Sequence, residues 1–404
     1  MNTTLLLTIL LVVFCLIQGN YGKVEGRRYT LSLEEEDVEL ENRLKVLNKP
    51  PIKSFQQKSG DILDCIDIYK QPAFDHPLLQ NHKIQIKPYF KQDQELRKCL
   101  STNHTLESRT NFGLPNERCP PGTVAIRRTK KQELINAKYL AESHGTYSAV
   151  NILYKSYHFV SVQPSVGIYY GGKGRVSVEN PTVGPDQFSS AQIWVQNGPD
   201  EELNSIESGW TVHPMLFGDN DTRLFGRWTA DGFKNTGCYN MLCPGFVQVH
   251  PQHYFGSKPE NISIYGVVSY AFLYSVRRDP QSGNWWLILD DLNENIGYWP
   301  KELFSHLRNN ASVIRYGGVA GGGLKNQTPQ MGNGHFANLD STKCCNMRDM
   351  HVYNNKGQPL KFLASRVKLK QDTTTKCYNQ IFWGFDPDHG GLMVSFGGPG
   401  GNCP

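Results

Sequence analysis

Past its N-terminal leader, this chain of 404 residues lacks any apolar run long enough to cross a membrane. The run from Leu5 to Ile17 is itself too short, because a spanning helix takes about 20 apolar residues. Charge of one sign is scarce as well. The net charge of +5 is small for this length and spread along the chain, which gives no basis for nucleic-acid binding and supports at most a weak affinity for acidic cell-wall polysaccharide. Zinc-type spacing is absent: neither Cys238 and Cys243 nor the Cys344-Cys345 doublet has histidines at the intervals a tetrahedral site uses. No metal and no cofactor is therefore expected. A serine or cysteine nucleophile with a histidine placed for it is not signalled either. The glycines of Gly317-Gly318 and Gly321-Gly322-Gly323 lack the strand-to-helix setting of a phosphate loop. They suit a close-approach or flexible β turn.

What is present begins with a leader. Met1 to Gly22 joins the apolar run to small and polar residues in the manner of a secretory signal peptide, although it opens without a positive charge. The mature chain is expected to be secreted and extracellular, with no membrane anchor. Beyond Cys15 in the leader stand Cys65, Cys99, Cys119, Cys238, Cys243, Cys344, Cys345, Cys377 and Cys403, which read as disulfide formers in an oxidising compartment. Asn103, Asn220, Asn261, Asn310 and Asn326 each head an Asn-X-Ser/Thr acceptor for glycosylation, which would put their segments at the surface.

The texture changes along the chain. Ser32 with Glu35 makes a capping box for a helix through Leu33, Leu40, Leu44 and Leu47, ended by Pro50-Pro51. Its apolar positions form one narrow stripe, and its acidic run is either a solvated face or an electrostatic latch. Residues 23–145 read as a small propeptide-like domain, with the basic run Arg127-Arg128-Thr129-Lys130-Lys131 as either a processing site or solvated surface. From about Ala149 short strand signals repeat between Gly, Pro, Asn and Asp clusters. Residues 149–404 are thus expected to fold as a mainly β, antiparallel β-sandwich.

Within that half, Leu203 to Val212 alternates with period two. Ile206, Ser208, Trp210 and Val212 fall on one face, and Ser205, Glu207, Gly209 and Thr211 on the other. A carboxylate among small polar neighbours suits the floor of an open groove, and equally an exposed acid on a solvated sheet face. His335 fits a groove-lining or a structural role. Of Trp194, Trp210, Trp228, Trp285 and Trp286, most belong to the core by alternation, leaving a minority to face the groove.

The Glu207 block, Gln192-Ile193-Trp194-Val195 with Asn204-Ser205-Ile206-Glu207-Ser208-Gly209-Trp210, resembles the signature of the neprosin family. Asp64-Cys65-Ile66-Asp67-Ile68-Tyr69 through Leu79 is similar to the family's propeptide motif. Thr236-Gly237-Cys238-Tyr239, Gly297-Tyr298-Trp299-Pro300, Met331 to Phe336 and Gly397-Gly398-Pro399-Gly400 extend the resemblance over nearly the whole chain. Members are plant secreted glutamic endopeptidases that cleave at proline. The resemblance implies a cleft across one sheet of the sandwich, a zymogen, and Glu207 as one of two catalytic carboxylates. It also implies the pairs Cys65–Cys119, Cys238–Cys243 and Cys377–Cys403. The second glutamate belongs in a Trp/Tyr-Gly-Gly-Glu segment, and this chain reads Tyr316-Gly317-Gly318-Val319. The frame is kept and the acid is lost.

A two-carboxylate peptidase needs one ionised acid to activate water and one protonated acid to hold the carbonyl and protonate the leaving nitrogen. Valine can do neither. Glu294, Asp290, Asp291 and, more weakly, Asp340 are the substitute acids the sequence offers. Two functions stay open: a binding protein that holds proline-containing peptide or wall glycan in an idle cleft, and an acid-active peptidase using Glu207 with a substitute.

Overall fold

The strand signals resolve into two large antiparallel sheets in a computed structural model that describes residues 33–90, 107–114, 117–144, 157–322, 327–386 and 391–403. The leader, Ser32, Cys99, Asn103 and Asn326 lie outside the described residues. The chain divides into two units, residues 1–41 and 42–404. Of the first, the structure describes only the opening turns of the Leu33–Leu47 helix. That helix stops just ahead of Pro50-Pro51, and Leu47 at its end is buried.

The site sheet has seven strands, in the order Cys238–Tyr239, Arg223–Thr229, Asn204–Val212, Phe188–Asn197, Val313–Gly321, Tyr157–Pro164 and Val367–Gln371. Every pairing in it is antiparallel. The second sheet has ten strands, Ser269–Arg278 and Cys345–Tyr353 among them. Its one parallel pairing sets Glu107–Arg109 beside Ser269–Arg278. Alternation sends Ile193, Ile206, Trp210 and Ile314 of the first sheet inward, against Tyr274, Leu287 and Val394 of the second. Three buried polar groups pin the layers together: Trp210 Nε1 donates to Ser177 O at 2.7 Å, Tyr274 Oη to Ser208 O and Tyr316 Oη to His351 O, both at 2.6 Å. The fold is therefore mainly β, an antiparallel sandwich. Among the described residues the disulfides are Cys65–Cys119, Cys238–Cys243 and Cys377–Cys403, while Cys344 and Cys345 are buried thiols.

Residues 53–144 are joined to the sandwich by buried polar bonds. Gln71 and Gln248 exchange two, Nε2 to O at 3.0 Å and N to Oε1 at 2.7 Å. Lys53–Gln56, Ile62–Asp67 and Thr123–Arg127 form their own three-stranded sheet. Arg127 donates to Asp61 at 2.9 Å and to Glu133 at 2.6 Å, and Arg223 of the site sheet reaches Asp61 at 2.8 Å. All four side chains are nearly buried. Both guanidiniums lie by the Phe217 ring, at 5.7 and 5.0 Å from its centroid. Burial alone would raise the Asp61 carboxyl, but Arg127 and Arg223 outweigh it and hold the group far below its ordinary 3.8.

Asp61→Asn would remove the acid shared by two buried guanidiniums, leaving Arg127 to Glu133 and Arg223 to Asp219, and is expected to cost about 1–3 kcal/mol. The folded carboxyl titrates below its unfolded value, so this contribution is complete above that value and fades as pH falls through the folded one. Thermal melting of parent and variant should show a constant gap from neutral pH to about pH 4, narrowing only below.

Candidate active site

The site is built on the outward face of the seven-stranded sheet. Register sets Glu207 beside Trp194 on one neighbouring strand and Arg227 on the other. Two donors hold the carboxylate: Gln192 Nε2 at 2.9 Å to Oε2 and Ser205 Oγ at 3.2 Å to Oε1. Ser190 Oγ donates to Thr211 Oγ1 at 2.8 Å further along the same face. The neighbours are polar, as the alternation predicts. The openness is not: Glu207 is 5% exposed, and Ser205, Gly209 and Thr211 are buried with it.

Aromatic side chains gather around this acid and its arginine neighbour. The Arg227 guanidinium lies 3.7 Å from the Phe233 centroid and 4.8 Å from that of Tyr239. Burial, then the Glu207 charge, raises the Tyr157 hydroxyl well above its ordinary 10.0. The Tyr239 hydroxyl is also raised, first by burial, with Arg227 opposing and Glu207 reinforcing the shift. His213, two residues past Thr211, stacks on Phe188 with centroids 5.1 Å apart. Burial, then the Arg227 charge, pushes its imidazole down to about 3.

Gly209 and Gly317 share a row through Gln192. A Cβ on Gly209 would meet Ala191 O at 2.0 Å, and one on Gly317 would meet Val160 O at 2.1 Å. Only glycine permits both approaches. Glu207 precedes this row by two residues and Val319 follows it by two, so both stand on one face, diagonally across Gln192. Val319 is 1% exposed, in an apolar cluster with Phe188 and Trp194 against which Tyr157, Phe159 and Met215 pack.

The substitute acids stand elsewhere. Glu294 lies in the ten-stranded sheet and pairs with His250 at 3.1 Å, so it is not a partner of Glu207. Asp291 is held by Arg175 at 2.7 Å and follows the Trp285–Leu289 strand of that sheet, as does Asp290. Asp340 is a surface acid bonded to Thr342 and Lys343. His335 also leaves the expected cleft, because its exposed ring stacks on Tyr265 at 4.1 Å, among loops of the ten-stranded sheet. Of the tryptophans at 194, 210, 228, 285 and 286, Trp194 faces the site and the other four lie in core clusters. Asn220 and Asn261 are exposed and Asn310 half-buried.

Gln192, Arg227, Tyr157, Tyr239 and His213 escaped the sequence reading. Alternation from Trp194 could have found Gln192. The others arrive through cross-strand register and ring packing, which no local pattern encodes.

Two family models match this chain: Neprosin over residues 185–399 and Neprosin activation peptide over residues 54–160. The chain belongs to the neprosin family. Solved structures add a remote likeness. The crystal structure of scytalido-glutamic peptidase with a transition state analog inhibitor is 9% identical, covering 60% of this chain and 98% of that one at a TM-score of 0.34. The structure of SCP-B, a member of the Eqolisin family of peptidases in complex with the tripeptide Ala-Ile-His, matches with the same identity and coverage at 0.29. At these scores the likeness carries no argument. Glu207 lies inside a hydrogen-bonded polar niche, and Val319, diagonally across the same face, is surrounded by packed hydrocarbon.

A neutral buried histidine makes this site acid-sensitive. Because folding lowers the His213 value from 6.5 to about 3, the unfolded chain binds the extra proton between those pH values, and stability falls as pH falls through them. By pH 4 the penalty is on the order of 3 kcal/mol. His213→Phe keeps the stack on Phe188 and should flatten the acid limb of a melting-temperature profile between pH 6.5 and 4.

Proposed function

We propose that this neprosin-family chain is a secreted, weak or inactive peptidase whose groove holds proline-containing peptides. One observation carries the reading: Val319 stands on the Glu207 face, packed against Phe188 and Trp194 where the resemblance puts the second carboxylate. Glu207 can accept a proton from water, but Val319 supplies no protonated carboxyl to hold the scissile carbonyl or protonate the leaving nitrogen. Losing one such donor costs about 10²–10³ in rate, and losing a member of a cooperating pair costs more. Secretion fits the leader-like Met1 to Gly22 and the three disulfides.

A second reading rests on Asp372. Its Oδ1 accepts from Phe159 N at 2.8 Å, and its Oδ2 lies 3.7 Å from His158. Phe159 is the cross-strand neighbour of Val319, and the Tyr157 hydroxyl responds to the charges of both Glu207 and Asp372. An active enzyme would then run on Glu207 with Asp372.

Cleavage of proline-containing peptides at acid pH separates the two readings. The parent is expected to cleave little or nothing while binding the same peptides by calorimetry, and Val319→Glu to gain activity that Glu207→Gln removes. Robust parental cleavage lost in both Glu207→Gln and Asp372→Asn would establish the second reading.

Residues 23–145 complete the proposal as a propeptide-like domain over the groove. The Lys131–His144 helix supplies Asn136, which donates to Met215 O at 2.6 Å, and Met215 packs on the Val319 cluster. Mass spectrometry of the secreted protein is expected to find trimming at low pH beyond the leader. An N-terminus fixed at the leader's end would count against it.

A further inference from the structure

The face that carries Glu207 continues toward the sheet edge as a cationic floor. Val367 packs toward the core, so Lys368 and Lys370 of the same edge strand project on the Glu207 face. Register sets Lys368 beside Gln163, and Lys370 beside Ser161, which neighbours Gly317. Arg315 lies on this face too, paired in register with Trp194 and with its guanidinium 5.6 Å from the Phe159 centroid. Both lysines are exposed and form the rim. Two buried polar atoms of the floor, Ser161 Oγ and Arg315 Nε, have no hydrogen-bond partner among the described residues. Ser161 is 1% exposed, and such a hydroxyl is costly to leave unpaired. Of the acids on this side, Asp372 is engaged by Phe159 N and His158, and Glu207 has Arg227 as its cross-strand neighbour.

We propose that Arg315, Lys368 and Lys370 form a subsite for an acidic segment of the bound peptide. The inference rests on the peptide-binding reading above and adds the ligand's charge. Four strand spacings separate the Glu207 strand from the edge strand, about 19 Å at the usual interval, or about six residues of extended peptide. A peptide with one residue over Glu207 therefore crosses Arg315 after two strand spacings, about three residues along, and lays Asp or Glu side chains on Lys368 and Lys370 some six positions away. Ser161 Oγ and Arg315 Nε supply hydrogen bonds on the way. Exposed cations select by complementary charge and act more weakly as salt rises.

The test uses the full chain and fluorescein-labelled proline-containing peptides in three versions. One carries three acidic residues six positions from the proline, on either side; one has the matching amides; one has lysines. Anisotropy at low salt is expected to give the acidic version about tenfold tighter binding than the amide version. That advantage should disappear in Lys368→Glu/Lys370→Glu, shrink in Arg315→Gln, and decline as salt is raised. Equal binding of acidic and amide peptides overturns the subsite while leaving peptide binding intact. Failure of all three peptides to bind overturns both. An oligogalacturonate that binds more tightly than the acidic peptide, and is lost in the same lysine variant, assigns the floor to a polyuronate and overturns the peptide proposal.

Discussion

Strand register in the seven-stranded sheet is the constraint on which the rest of this structure depends. Side chains alternate with a period of two, so a one-residue slip would exchange the two faces of a strand. Glu207 would enter the core beside Tyr274, and Trp210 would lose its bond to Ser177 O. Gly209 and Gly317 fix the register where their neighbours' carbonyls leave no room for a Cβ. The polar niche around Glu207 and the buried hydrocarbon around Val319 follow from that one alignment.

The niche differs in kind from a pair of proton-sharing acids. Such a pair works because two nearby negative charges push one carboxyl toward protonation. Here the cross-strand neighbours of Glu207 are an arginine and a tryptophan, and its direct donors are an amide and a hydroxyl. His213, neutral and buried a few residues on, adds a group whose protonation opposes folding in acid. On the proposed reading these are the marks of a cleft kept for binding, where rigidity and neutral donors serve a ligand without chemistry being asked of them.

The region matched by the activation peptide is bound to the rest of the chain through buried polar groups. Gln71 exchanges two bonds with Gln248, Tyr298 Oη is met by His82 and Gln85 N, and Asp61 draws together arginines from both regions. A buried ion cluster of this kind is worth little relative to a hydrophobic substitute but is expensive to break. The Pro214–Phe217 helix, which follows the Glu207 strand directly, takes Phe217 into that cluster and leaves Met215 at the site. The site is thus tied to the part of this region that spans residues 61–136.

The sequence by itself determined the two faces of the Glu207 strand and, through its motifs, the family, because alternation and short motifs are local properties. Through the family resemblance it also supplied the three disulfide pairs, which spacing alone leaves open. Tertiary structure alone decided what surrounds Glu207. Tyr157, Arg227 and Tyr239 come near it from up to fifty residues away in the chain, and ring packing beside a strand has no one-dimensional signature. The same holds for the rejected substitutes. Glu294 follows a turn just ahead of a motif shared with the family, and only sheet order reveals that its strand belongs to the opposite layer. Burial and layer are properties of contacts between distant segments, and alternation along one strand cannot specify them.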